Sequence, residues 1–179
     1  YNLCVRSKDK TGNVSEYEVF GFWVDNVAPE PPEFSGNGFT NDSQVDFFWS
    51  FGANTDFWEC KVNNGSIFTS TSRRYTTEDD YPHGALVTMQ VRACDYAGNK
   101  SAWVSHTIAV DLESPTDPVI SVISPTNNTR PTWSWTTSSD AVSYGVKLGN
   151  FPWVSETIIE ETSYTPENEL SEGTHTLYV

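Results

Sequence analysis

The chain has 179 residues, 24 acidic and 10 basic, for a formal charge of −14 at neutral pH. That charge repels phosphate, so nucleic acid and anionic membrane surfaces are poor partners and cations are the favoured small ones. Seven Trp, eight Tyr and ten Phe in a 37% hydrophobic chain exclude disorder, and no apolar run is long enough to cross a membrane.

In chain order, the opening "YNLCVRSKD" (1–9) runs into a turn, "DKTGNVS" (9–15). Phe20, Phe22 and Val24 then alternate at period two, the pattern of a half-buried strand. Asp25 and the proline-rich link "NVAPEPP" follow. The series returns 86 residues later: Asp9 falls on Asp95, Gly12-Asn13 on Gly98-Asn99, Ser15 on Ser101 and Asp25 on Asp111. Self-similarity at a fixed period marks a tandem array.

Between the two occurrences the chain reads as a complete unit of seven strands. The first, at 32–35, is broken by prolines that suit a sheet edge. The next four are expected at 45–49, 57–62, 66–70 and 73–77, and the last two at 86–94 and 103–110. Val87, Met89, Val91 and Ala93 alternate, and turn clusters such as "GANTD", "NNGS" and "YPHG" separate the runs. No stretch sustains a helical period, so the fold class is all-β, a sandwich. Parity turns Trp49, Trp58 and Cys60 inward. Cys94 has the opposite parity to Ala93, which argues against a Cys60–Cys94 bond. In the hairpin turn 95–101, Gly98 supplies positive φ and the Asp95 carboxylate is placed to accept from the turn's own amides.

A further copy begins after the link "ESPTDP". Trp49 falls on Trp135, Trp58 on Tyr144 and Lys61 on Lys147 at a spacing of 86, while Tyr75 meets Tyr164 and Gly84 meets Gly173 at 89. Three extra residues therefore sit near "FPWVSE" (151–156), in a loop. "HTLYV" (175–179) repeats "VTMQV" (87–91) and "YNLCV" (1–5). The expected organisation is residues 1–24 as the last two strands of a partial repeat, 25–110 as a complete repeat, and 111–179 as a repeat lacking its last strand. The chain reads as an excerpt of a longer array, cut out of phase with its units.

Leu170, Gly173, Thr174, Leu177 and Val179 form an "L-x-x-G-T-x-x-L-x-V" run after a tryptophan strand and an aromatic strand. This order resembles a fibronectin type III domain. Tyr1 stands where such folds place a corner tyrosine, with Val87 and His175 at the matching positions of the other copies. "RPTWSW", "TSYTPENELSEGTHTLYV" and "D-x-x-GN-x-S" are similar to the Ig-like repeats of very large bacterial surface proteins and adhesins. The resemblance covers essentially the whole chain. It implies tandem seven-stranded β-sandwiches, fibronectin type III or Ig-like, in an extracellular, cell-surface protein. The implied function is non-catalytic, that of a semi-rigid spacer or filament element. A carbohydrate-binding or accessory module of a secreted hydrolase is the alternative.

The residues add little chemistry of their own. His83, His106 and His175 are not spaced as ligands, and neither a nucleophile elbow nor a phosphate-binding loop is present. No enzyme is expected. The three cysteines form neither a disulfide framework nor a zinc site. Calcium is the one ion the acidic junctions suit, because hard cations take carboxylate and carbonyl oxygens. Its expected ligands are Asp9 and Asp25 at one junction and Asp95, Asp111, Glu113 and Asp117 at the other. Phe151 and Trp153 are the expected sugar-stacking pair. Partners are neighbouring repeats, a host or surface glycan or protein, or neighbouring copies of the chain. In the last case residues 1–25 of one molecule would complete the final unit of the next, head to tail. An arbitrary window of a continuous chain explains the cut ends equally well.

Overall fold

The computed structural model describes residues 2–121, 125–138, 140–149 and 157–179. Its elements in chain order are β1 (Asn2–Val5), β2 (Glu18–Gly21), β3 (Phe34–Ser35), β4 (Phe39–Thr40), β5 (Asp46–Trp49), β6 (Phe57–Val62), β7 (Phe68–Ser70) and β8 (Arg74–Thr76). They continue with β9 (Leu86–Cys94), β10 (Val104–Val110), β11 (Trp133–Ser134), β12 (Tyr144–Leu148), β13 (Thr157–Ile159), β14 (Ser163–Tyr164) and β15 (Leu177–Tyr178). The described residues hold strands and no helix, so the all-β expectation stands. The chain divides into two compact units, Tyr1–Leu112 and Glu113–Val179.

In the first unit, β3-β5-β8 form one sheet and β4-β10-β9-β6-β7 another. Along β9, Val87, Met89, Val91 and Ala93 are fully buried, while Thr88, Gln90 and Arg92 between them are half-buried. Period-two alternation thus puts every second side chain into one core. Val45, Phe47 and Trp49 meet Trp58, Cys60, Met89, Val91, Ile108 and Val110 there. Each such side chain contributes roughly 1.5–3 kcal/mol through burial. Trp49 and Trp58 pack edge to face with centroids 6.2 Å apart, the arrangement that ring quadrupoles favour.

These two sheets hold eight strands where seven were expected. The addition is β4, which runs parallel to β10 through the pairs Ala109↔Phe39 and Val110↔Thr40. Backbone bonds hold it, from Ala109 N–H to Gly38 O at 2.8 Å and from Asp111 N–H to Thr40 O at 2.8 Å. The chain pairs with one sheet at β3 and with the other at β4. Gly36, at φ 117°, makes the switch, a conformation costly for any residue with a Cβ. Two residues of strand cannot show alternation, which is why the pattern hid β4. Five of the expected strands are also shorter: 32–35 contracts to β3 and 103–110 to β10. The 66–70 and 73–77 runs contract to β7 and β8, and 45–49 loses Val45, which remains fully buried beside the strand. Thr77 closes that end, its Oγ1 accepting from Val45 N–H at 2.9 Å.

The second unit repeats these pairings. Trp133↔Tyr164 and Ser134↔Ser163 reproduce Phe47↔Tyr75 and Phe48↔Arg74. Tyr144↔Ile159 reproduces Trp58↔Ser70, and Leu148↔Leu177 reproduces Val62↔Met89. Because a one-residue slip would turn every side chain to the other face, this match fixes the equivalences residue by residue. The spacing is 86 before the loop and 89 after it. It becomes 88 at the last strand, so one residue is lost between Gly173 and Thr176. Trp135, Tyr144, Val146 and Leu177 form the buried core of this unit, and Trp135 and Tyr144 pack edge to face at 5.6 Å.

β1 and β2 form a separate two-stranded hairpin in which every strand residue is exposed. Leu3 and Val5 are 57% and 56% exposed, whereas Met89 and Val91, 86 positions on, are fully buried. The same strand chemistry is present twice, once against a second sheet and once without one.

Candidate functional site

The motif repeated at a spacing of 86 is one turn built twice. Asn13 N–H and Asn13 Nδ2 donate to the two carboxylate oxygens of Asp9, both at 2.8 Å. Asn99 N–H and Asn99 Nδ2 donate to those of Asp95 at 2.8 and 2.9 Å. Ser15 Oγ accepts from Ser7 N–H at 2.9 Å, as Ser101 Oγ does from Ala93 N–H at 2.9 Å. Gly12 and Gly98 take φ of 102° and 96°. The Asp, Asn and Ser side chains named by "D-x-x-G-N-x-S" are therefore the closure of the hairpin.

These bonds also fix the electrostatics. The Asn13 side-chain amide, then Thr11, hold the Asp9 carboxyl down at about 2. The Asn99 amide lowers Asp95 likewise. A lowered folded-state pKa means that the turn's stabilisation is complete above the ordinary carboxylate range near 4 and is lost as pH falls through about 2. The amide resonance of Asn13 is expected to hold its position down to about pH 3 and to move below it, and that of Asn99 to move below the ordinary carboxylate range. Movement centred on the ordinary carboxylate range would show that the network does not form.

Four of the six carboxylates expected to hold calcium, Asp9, Asp25, Asp95 and Asp111, lie in the first unit. Asp9 and Asp95 serve their turns. Asp25 Oδ1 accepts from Val27 N–H at 3.0 Å, and its backbone carbonyl accepts from Asn99 Nδ2 at 3.2 Å. Asp111 Oδ1 lies 3.1 Å from His83 Nδ1. Glu113 and Asp117 are exposed in the second unit. Among the described residues no group of three or more His, Cys, Asp or Glu is placed to hold a metal ion. Phe151 and Trp153, with Tyr1, lie outside the described residues.

Cys60 and Cys94 are both fully buried and unbonded, and Cys4 is exposed. Burial pushes the Cys60 thiol up to about 12, and Cys94 up as well. Only thiolate reacts with alkylating and disulfide reagents. A native-state thiol titration is expected to label Cys4 alone, with all three labelled in denaturant; fast labelling of two or more in the native state would contradict the buried positions.

Sequence reading missed two surface constellations. One is an ion cluster on β6 and β9, where Arg92 Nε donates to Glu59 at 2.7 Å and Lys100 Nζ to its other oxygen at 2.6 Å. Lys100, then Arg92, lower the Glu59 carboxyl, and the Arg92 guanidinium lies 4.5 Å over the Trp103 ring. The other is an open groove of roughly 700 Å³ lined by Phe48, Phe51, Trp58, Ser72, Arg73 and Arg74. Phe48 has the parity opposite to Trp49, so its outward aim was readable. Its convergence with a turn two strands later was not.

No family model matches this chain, and no curated protein matches it. Among 41 matching solved chains is one of carbohydrate-binding modules from the β-sandwich superfamily, at 18% identity and TM-score 0.40. The overlap covers 79% of this chain and 54% of that one, so the chain spans about half the length of that neighbour. A likeness at that level says nothing about what this chain binds.

Proposed function

We propose that the chain is a run of fibronectin type III-like or Ig-like beads from a long extracellular bacterial surface protein, non-catalytic and acting as a semi-rigid spacer. The supporting observation is the twice-built turn together with the register shared by the two units. Identical closure in diverged sequence is what selection for a repeated scaffold leaves behind. Strands divided three and five, with the fourth strand of the seven-strand plan on the sheet of the third, separate this unit from the four-plus-three plan of constant-type Ig domains. Proline-rich links at 26–32 and 113–118 restrict the backbone between beads.

The test is exchange. In the parent protein, residues 25–110 are replaced by an unrelated β-sandwich of equal length. Surface display and the reach of the array are expected to persist. Loss of either would show that this bead does more than hold distance.

Calcium need not be resident in such an array. Melts in millimolar calcium and in chelator are expected to superimpose, since Asp9 and Asp95 are engaged by their own turns. A higher midpoint in calcium would place an ion in the native state.

A head-to-tail partnership between copies has its own support. In the second unit a cavity of about 640 Å³ opens beside Trp133, between Pro125–Thr126 and Leu170–Gly173. In the first unit the matching backbone groups, Thr40 O and Gly84 N–H, bond the last residues of β10 and its flank. The cavity thus has the position of a β10-type strand, and β2 belongs to that type. Sedimentation is expected to show concentration-dependent association of the 179-residue chain; a monomer at every concentration would dismiss it.

A further inference from the structure

The two units share a buried scaffold and differ sharply in what they display upon it. Register equates Phe48 with Ser134, Trp49 with Trp135 and Arg74 with Ser163. Trp49 N–H donates to Arg73 O at 3.1 Å, as Trp135 N–H does to Thr162 O at 3.0 Å, so Arg73 answers to Thr162. By the same spacings Phe51 answers to Thr137, and Thr71-Ser72 to Glu160-Glu161. The second unit keeps the edge-to-face aromatic pair beneath, with Tyr144 in place of Trp58. It lacks both outer phenylalanines and both arginines, and it carries two carboxylates in their neighbourhood. The buried pair is required by the fold. The displayed set is not.

The displayed set is nonetheless held in place. Phe51 is 61% exposed yet packs edge to face on Trp58, with centroids 5.9 Å apart. Its loop is seated by Gly52, where a Cβ would stand 2.6 Å from Glu30 O. Arg74 is committed to Asp46, at 3.0 Å, and lies 5.5 Å over the Phe48 ring. Arg73 is exposed and forms no ion pair among the described residues, while its carbonyl pins it to β5. Ser72 Oγ accepts from Arg74 N–H at 3.2 Å, which leaves its O–H to donate outward.

We propose that the groove of Phe48, Phe51, Ser72 and Arg73 binds a saccharide bearing one carboxylate, a terminal hexuronate or sialate. A guanidinium fork matches a carboxylate with two parallel hydrogen bonds, geometry that a lysine does not offer. The C–H face of a pyranose ring is apolar and suits the rings of Phe51 and Phe48, and hydroxyl groups beside them suit Ser72 and Thr71. Charge limits the ligand's size. The chain carries −14, and fields are screened beyond about 8 Å at physiological salt. A single carboxylate feels Arg73, whereas a long polyanion meets the acidic remainder. This site goes beyond the spacer reading and does not depend on it.

The test is calorimetric titration of the 179-residue chain with sialyllactose, with a glucuronate-terminated disaccharide, and with lactose. At least one acidic sugar is expected to bind with Kd of about 1 mM or tighter, and lactose at least about tenfold more weakly. Which acid binds more tightly decides between sialate and hexuronate. Arg73→Thr and Phe51→Thr install residues that the second unit already uses, so the melt should stay in place while affinity falls about tenfold or more. Three results would overturn the proposal: no acidic sugar binding at about 10 mM, lactose binding equally, or Arg73→Thr binding unchanged. A glutamate-rich peptide that binds as tightly as the sugars would reassign the groove to acidic protein segments.

Discussion

Trp58→Ala is expected to unfold the first unit at physiological temperature or close to it, and to leave the second unit's transition where it was. Trp58 is 2% exposed and lies between Trp49 and Phe51. Truncating a buried Phe or Trp to Ala costs about 3–5 kcal/mol, because apolar contact is lost and the cavity does not collapse fully. For a unit of this size each kcal/mol moves the midpoint by roughly 4–8 °C, so the shift should be on the order of 20 °C. Tyr144→Ala is the mirror experiment, acting on the core of Trp135, Val146 and Leu177. Scanning calorimetry of the two variants resolves which transition belongs to which unit. One joint transition that moves in both variants would show that the units unfold as one body.

The second large expected effect is a contrast between equivalent glycines in the two copies of one turn. Gly98→Ala and Gly12→Ala place a Cβ at nearly equal φ, 96° and 102°, with nothing else within 4 Å of either. The local strain is therefore the same, about 1–2 kcal/mol. Gly98 closes β9 onto β10, whose residues Met89, Val91 and Ile108 belong to the first core. Gly12 closes β1 onto β2, which supply no buried residue. Gly98→Ala should lower the first unit's midpoint by roughly 5–10 °C, and Gly12→Ala should leave it unmoved. Equal shifts would mean that the β1–β2 hairpin unfolds together with the first core.

Alternation at period two and the 86-residue spacing made most strands legible, because a half-buried strand writes its burial into every second residue. β6 and β9 have the bounds the pattern gave. The Asp95–Ser101 turn was legible for a similar reason, since its hydrogen bonds are local and its residue types are those that make them. β4 was not legible: it is held by backbone groups alone, and Phe39 is 69% exposed. At the acidic junctions the sequence names the carboxylates but not what they touch. It shows which oxygens exist, while the turn geometry brings Asn13 to Asp9 and Asn99 to Asp95. The groove around Arg73 depended on the β5–β8 register, which joins residues 48 and 74, and no local pattern contains that distance.

The parallel pairing of β4 with β10 has a mechanical consequence. β4 lies near the entry of the first sandwich and β10 at its exit. When the two links are pulled apart, β4 is drawn toward its own start and β10 toward its own end. Parallel strands loaded that way slide along each other, so the bonds at Gly38, Thr40, Ala109 and Asp111 bear the tension together. An antiparallel hairpin pulled open at its free ends would instead lose its bonds in succession, each carrying the whole load in turn. Under such a load the two-residue strand that alternation failed to show would act as a shear clamp, its bonds resisting extension together.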